Sequence, residues 1–209
     1  MGSVKTDQRR AAGERTRARL MEAALDLLSE RGEGGVSLRE ITDAADANVA
    51  AVSNHFGSLQ ALVDGAIEDA LERYLDTQQE AVSALGPEPT LEELAGAFAR
   101  PMISALTKGG RHRAAMRIVA RAAIDPPDGW DRFDTVFERI RADVVRALRP
   151  TLSGVKTREL IFRIRCAAGM LNWLALAPVG AELTGMSEKQ AERLLVPIVA
   201  GAFRGTSSG

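Results

Sequence analysis

At 209 residues, 45% of them hydrophobic and 26% charged, the chain has the make-up of a globule that buries a real core. Its net charge of −1 excludes a strong overall bias toward acidic or basic partners, and no apolar run approaches the ~20 residues needed to span a bilayer. No charged start leads into an apolar signal segment, and the single cysteine cannot form an internal disulfide, so a cytoplasmic location is expected.

Charge is unevenly placed. Residues 1–20 carry Lys5, Arg9, Arg10, Arg15, Arg17 and Arg19 against Asp7 and Glu14. Residues 1–12 therefore read as a flexible basic arm, suited to phosphate but equally to solubility. From Arg15 to Glu30, Leu20, Ala23, Ala24, Leu27 and Leu28 fall on one helical face, and Gly32, Gly34 and Gly35 end the pattern. Ser37 with Glu40 forms a capping box, as do Thr90 with Glu93 and Ser187 with Gln190, and each marks a helix start. Alternation of period two is absent, so the chain is expected to be all-α. Nine helices are predicted, over 15–30, 37–44, 48–54, 58–84, 90–107, 111–124, 129–148, 156–177 and 187–203. Pro101 and Pro197 fall inside two of them and predict kinks or breaks. The GTSSG tail and the first dozen residues are expected to be disordered. Cys166, among apolar neighbours on the eighth helix, reads as a small buried hydrophobe.

The first three helices are short and tightly joined, and the later ones long and amphipathic. This predicts a small module at 13–60 and a larger helical unit at 61–205, bridged by the helix at 58–84. Within 37–56, SLREITDAADANVAAVSNHF, the residues Leu38, Ile41 and Ala45, then Val49, Val52 and Phe56, make inward stripes on two short helices. Asp46 sits in the turn between them, where a positive φ is needed and Asp is tolerated. That is a helix-turn-helix, whose second helix fits the major groove. Asn48, Ala50, Ala51, Ser53 and Asn54 then face outward. Small residues permit close approach and contact with thymine methyls, and Asn pairs with adenine. His55 is a further DNA-facing candidate, and Ser37 and Arg39 are candidates for phosphate contact. The bland alternative is plain helical packing, with His55 a packing residue and with Ser37 and Arg39 merely capping and solvating.

From Arg15 to about Tyr74 the sequence resembles the DNA-binding domain of the tetracycline-repressor (TetR) family of bacterial transcriptional regulators. The residues that carry the resemblance are AALDLLSERG at 23–32, VSLREI at 36–41, ANVAAVSNHFGS at 47–58 and ALV at 61–63. The resemblance implies a first helix that buttresses the motif, a third that reads the groove and a fourth that links it to a ligand-binding bundle. Three positions depart from the family pattern. The turn glycine is Asp46, the aromatic before the His-Phe pair is Asn54, and the lysine after the Gly-Ser pair is Leu59. Loss of two phosphate contacts is expected to weaken DNA binding and flatten its salt dependence, since each neutralised phosphate adds about 0.9 to the log–log slope.

A module this small works as a two-fold dimer on half-sites one helical turn apart, roughly 34–36 Å. The last two helices are expected to supply the interface, through Ile161, Ile164, Ala168 and Leu171 on one and Leu194, Leu195, Ile198 and Val199 on the other. Closure of the monomer's own core is the alternative reading of those faces. Phe98, Met102, Met116, Phe133 and Phe137 lie on helices that the family arranges around a ligand pocket. Trp130, Met170 and Trp173 join them, with His112 and Asn172 as polar anchors, and core packing is again the alternative. The expected function is that of a ligand-responsive regulator, a repressor, that binds a palindromic operator as a homodimer and is released by a small, mostly hydrophobic effector. The rival reading is a helical interaction or sensor protein with weakened or lost DNA binding, which Asn54 and Leu59 would suit. No enzyme, metal site or cofactor is expected: there are two histidines, no Glu-x-x-His pair, no glycine-rich phosphate loop and no nucleophile elbow.

Overall fold

The computed structural model describes residues 2–32, 35–124, 131–177 and 185–205. Nine helices and no strand occur among them: α1 (Gly2–Arg31), α2 (Leu38–Ala44), α3 (Val49–Phe56), α4 (Leu59–Ser83), α5 (Leu91–Lys108), α6 (Gly110–Ile124), α7 (Asp131–Leu148), α8 (Thr157–Leu176) and α9 (Glu188–Arg204). The three predicted capping boxes all form, at Ser37/Glu40, Thr90/Glu93 and Ser187/Gln190. Each gives partners to amides that the first turn of a helix leaves free.

The basic N-terminal segment is not an arm set apart from the fold. α1 reaches back to Gly2, because Ala11 and Ala12 favour helix and Arg10 pairs with Glu14 one turn on at 3.4 Å. Gly13 lies in the interior of the helix without ending it. The GTSSG tail lies outside the described residues beyond Gly205.

Between α2 and α3 the chain turns through a Schellman motif. Ala47 N–H donates to Thr42 O at 2.9 Å and Asp46 N–H to Asp43 O at 3.3 Å, with Asp46 at φ 47°. Asp46 thus takes the left-handed position expected of it. Gly57 closes α3 at φ 84°, which a β-carbon would strain, and Ser58 then caps α4 through Ala61 N–H.

Two apolar cores result. The first gathers Leu20, Leu25 and Leu28 of α1, Ile41 of α2, Val52 of α3 and Leu62, Ala66 and Ile67 of α4. It also takes in Ala114, Ala115, Ile118, Val119 and Ala122 of α6. The second gathers α5 with α8 and α9, together with Met116 and Ala120 of α6 and Leu148 of α7. So α6 contributes one face to each core, and the N-terminal module does not close on its own. Tyr74 of α4, alone among the described residues, packs against both.

Neither proline breaks its helix. α5 runs through Pro101 and α9 through Pro197. A proline at 101 cannot donate to the carbonyl of residue 97. Gln78 of α4, itself buried, donates its Nε2 to Ala97 O at 3.0 Å instead. The gap in α5's ladder is therefore filled by its neighbour, which ties α4 to α5.

Candidate functional site

α3 presents a short outer face. Val49, Ala50, Ser53 and Asn54 are exposed on it, while Val52 on the opposite side is 2% exposed and fixes the helix to the first core. Val49 was expected to point inward but is 51% exposed, since the first helical residue precedes the turn that packs on α4. It adds an apolar contact point at the edge of this face, of the kind that meets a thymine methyl. Ala51 is half-buried against the core, so it lies beside the face and not on it. Asn48 is exposed, but its Oδ1 is committed as the cap, accepting from Ala51 N–H at 2.9 Å. Its amide NH2 points to no partner among the described residues.

His55 is half-buried. Its ring meets Phe56 edge-on at 6.5 Å, and Gly13 of α1 passes close enough that a β-carbon there would touch His55 Cε1 at 3.5 Å. Arg17 of α1 stacks its guanidinium 5.1 Å from the Phe56 ring, and Arg19 lies 3.6 Å from Asp46. The basic stretch of α1 is thereby held beside the turn and the end of α3, at the margin of the surface that would face DNA.

Ser37 is occupied within its capping box. Its hydroxyl donates to Glu40 Oε2 at 2.7 Å, and Arg31 from the end of α1 takes the other carboxylate oxygen. Those bonds, Ser37's first and then Arg31's, hold the Glu40 carboxyl down at about 2. The Ser37 backbone and hydroxyl are thus committed inside the chain. Arg39 is exposed, with only a loose 3.8 Å approach to Asp43, and is available to a phosphate.

α6 joins the two halves of the molecule through arginines. Arg117 Nε donates to Ser29 O and Arg121 Nη2 to Glu30 O, both at 2.9 Å, while Arg111 pairs with Glu22 at 3.2 Å. The first two place cations on the free carbonyls at the C-terminus of α1, where the helix dipole favours them. From there Arg31 and Glu40 carry the contact on to the start of α2.

The ten residues expected around a pocket do not converge. Phe98 and Met102 are 7% and 1% exposed in the second core, Phe98 edge-on to Phe203 at 5.4 Å. Phe137 packs against the first core, and Met170 against the second. Asn172 is half-buried and Trp173 is exposed. Trp130 and the side chain of Phe133 lie outside the described residues. Met116 shares the second core with Phe98 and Met102, and with His112 it lines a tight slot between α4, α5 and α6 beside Arg73, Tyr74, Thr77, Pro101, Ser104 and Ala115. Tyr74 and Ser104 were missed from the sequence. The lone tyrosine of the chain, and a serine inside the apolar run MISAL, were the available signals.

The α8–α9 surface is also rearranged. Ile164, Leu171, Leu195 and Val199 are buried in the chain's own core, and Ile161 and Ala168 are half-buried. Leu194 and Ile198 are exposed at 51% and 52%, and on α8 the exposed large residues are Phe162 and Trp173. Phe162, Cys166, Gly169 and Trp173 share one outward face, so Cys166 is exposed, not buried. Both sides of each helix are apolar, and periodicity alone could not tell which one turns inward.

An all-α chain whose capped α2 and outward-facing α3 form a helix-turn-helix, continuous with a helical bundle that shares α6 with its core, defines a helix-turn-helix DNA-binding regulator. Residues 20–66 match the family model described as bacterial regulatory proteins, tetR family, and residues 96–201 the tetracyclin repressor-like C-terminal domain. The chain belongs to the TetR family of transcriptional regulators, which are not enzymes. It is 28% identical over 201 residues to the HTH-type transcriptional repressor Rv3405c of Mycobacterium tuberculosis, covering 92% of this chain and 91% of that one. A shorter match, 33% over 79 residues and 38% of each chain, is to the probable HTH-type transcriptional regulator YttP of Bacillus subtilis. A TetR-like transcriptional regulator from Rhodococcus sp. RHA1 shares the fold at a TM-score of 0.64 and 17% identity, over 91% of this chain and 97% of that structure. Among the described residues, no helix is long and apolar enough to cross a membrane.

Proposed function

We propose that this regulator is a ligand-responsive repressor that binds a palindromic operator as a homodimer through α3 and is released by a small, mostly hydrophobic effector. The observation that carries the reading is the outward face of Val49, Ala50, Ser53 and Asn54, with the basic stretch of α1 fastened next to it. The exposed residues Phe162, Trp173, Leu194 and Ile198 support a dimer, because apolar side chains of this size seek a covered surface. Repression is supported by the whole-length likeness to a protein named as a repressor. In this reading residues 13–60 form the DNA-binding unit and 61–205 the effector and dimer unit, with α4 and α6 shared between their cores.

Release follows from differential affinity. An effector that favours one spacing of the two α3 helices shifts the population toward it, by no more than its preference for that state. The deciding experiment titrates the protein across salt concentration against the duplex upstream of its own gene. Saturable, sequence-specific binding that weakens with salt is expected. Leu59→Lys, which restores a cation after Ser58, should steepen the log–log salt slope by about 0.9. Weak binding, equal on any duplex and with an unchanged slope, would instead establish an interaction protein that has lost DNA.

A further inference from the structure

The start of α3 offers two consecutive exposed side chains, Asn48 and Val49, beside the face that reads the groove. Asn48 is the N-cap, at φ −99° and ψ 161°, and its Oδ1 accepts Ala51 N–H at 2.9 Å. The cap fixes the amide group: the oxygen is turned into the first turn of the helix, and the NH2 is left for an outside partner. Asparagine pairs with adenine by turning its oxygen and its NH2 to the base together, and the cap prevents that here. Asn48 therefore offers donors. Val49 next to it is 51% exposed and offers two methyl groups.

The rest of the helix, AAVSNHF after Val49, carries no lysine or arginine, so α3 cannot make the two-bond contact to guanine O6 and N7. The arginines around it belong to other helices. Arg17 lies over the Phe56 ring, Arg19 approaches Asp46, and Arg39 on α2 approaches Asp43. Each base shows the major groove its own edge. Guanine shows two acceptors, adenine an acceptor and a donor, cytosine a donor, and thymine the O4 acceptor beside a 5-methyl group. A donor next to an apolar side chain complements the last of these. Cytosine would set its N4 donor against the Asn48 NH2 and has no methyl group for Val49.

We propose that Asn48 and Val49 together select one thymine in each half-site, Asn48 by donating to O4 and Val49 by covering the 5-methyl group. The inference rests on the DNA-binding reading above and names a base that the helix reads. The N-terminal residues of a recognition helix are the ones that reach base edges, which is where this pair stands.

The test uses the full chain and a duplex selected with it from a random-sequence pool. Each thymine of that duplex is replaced in turn by deoxyuridine, which lacks only the methyl group. In a second series it is replaced by 5-methylcytosine paired with guanine, which keeps the methyl group and turns the acceptor into a donor. Affinities are compared at one salt concentration. At one thymine per half-site, uracil should weaken binding about fourfold, the worth of one buried methyl group. Val49→Ala should remove most of that penalty there and at no other thymine. Asn48→Asp keeps the cap but puts an acceptor where the NH2 was. It should lower the preference for thymine over 5-methylcytosine at the same position about tenfold or more. Repulsion from the added charge moves both duplexes together and leaves that ratio alone. A Val49→Ala variant that weakens every duplex alike, with the uracil penalty kept, would overturn the proposal. So would an unchanged ratio in Asn48→Asp, which would put Asn48 on a phosphate. Both results leave the DNA-binding reading standing, whereas a pool from which no sequence is enriched would overturn both.

Discussion

The two ends of the molecule treat apolar surface in opposite ways. At the helix-turn-helix end Ile41, Ala45 and Val52 are buried, and the outer face of α3 is small and polar apart from Val49. At the α8–α9 end Ile164, Leu171, Leu195 and Val199 are buried just as well, yet Phe162, Trp173, Leu194 and Ile198 stay exposed on the opposite sides. The first surface suits a hydrated, charged partner that is read by side-chain tips. The second suits a partner whose own surface is apolar, and a second copy of the same face meets that requirement. In the proposed reading, one end meets DNA and the other its own likeness.

The largest effect should come from charging the second surface. Leu194→Asp combined with Ile198→Asp alters only exposed side chains, so the helical circular dichroism should match the parent. In sedimentation the variant should be a monomer, and operator affinity should drop about 100-fold or more as bivalent binding is lost. A variant that remains dimeric would place the interface elsewhere and remove half of the contrast.

Next in size is a cavity at the opposite end. Ile41 is 0% exposed, and Ile41→Ala should cost about 2–5 kcal/mol. Because α6 supplies Ala114, Ala115, Ile118 and Val119 to the same core, the loss should appear as a shift of one cooperative urea transition followed by circular dichroism. Two separate transitions would show that the ends fold independently, and the arginine links from α6 to Ser29 O and Glu30 O would then contribute little.

How much of this was readable in sequence depended on range. Local signals sufficed for the capping boxes, for the left-handed turn at Asp46 and for the outward position of Ser53 and Asn54, because each is decided within four residues. Choices between two faces were not readable. In α8 and α9 both sides are apolar, and only the packing of α5 against α9 selects Leu195 and Val199 for burial over Leu194 and Ile198. The slot was missed for the same reason: Tyr74, Ser104 and His112 come from three helices and share no spacing. Pro101 read as a kink or break because the donor that serves Ala97 O in its place, Gln78, comes from another helix.

A smaller effect should sharpen the turn of the DNA-binding end. Asp46 holds φ 47° with its side chain 99% exposed. Replacing it by glycine relieves a conformation that costs a β-carbon roughly 1–2 kcal/mol, less the weak exposed pair with Arg19. Asp46→Gly should therefore stabilise the chain by about 1 kcal/mol in thermal unfolding, with operator affinity preserved. Destabilisation would mean that the pair with Arg19 outweighs the strain.

The smallest effect is confined to acid. Glu40 holds a carboxyl at about 2, against 4.5 for an unperturbed one, through Ser37 first and Arg31 second. A carboxyl depressed in the folded state contributes its stability above the unfolded value and loses it as pH falls toward the folded one. Glutamine at 40 keeps an oxygen for the capping box but loses the charge that Arg31 meets. The melting temperatures of Glu40→Gln and the parent should thus differ by a constant amount at neutral pH and draw together as pH falls from about 4.5 toward about 2. A gap that persists unchanged to pH 3 would show that shape, and not charge, is what Glu40 supplies at the joint between α1 and α2.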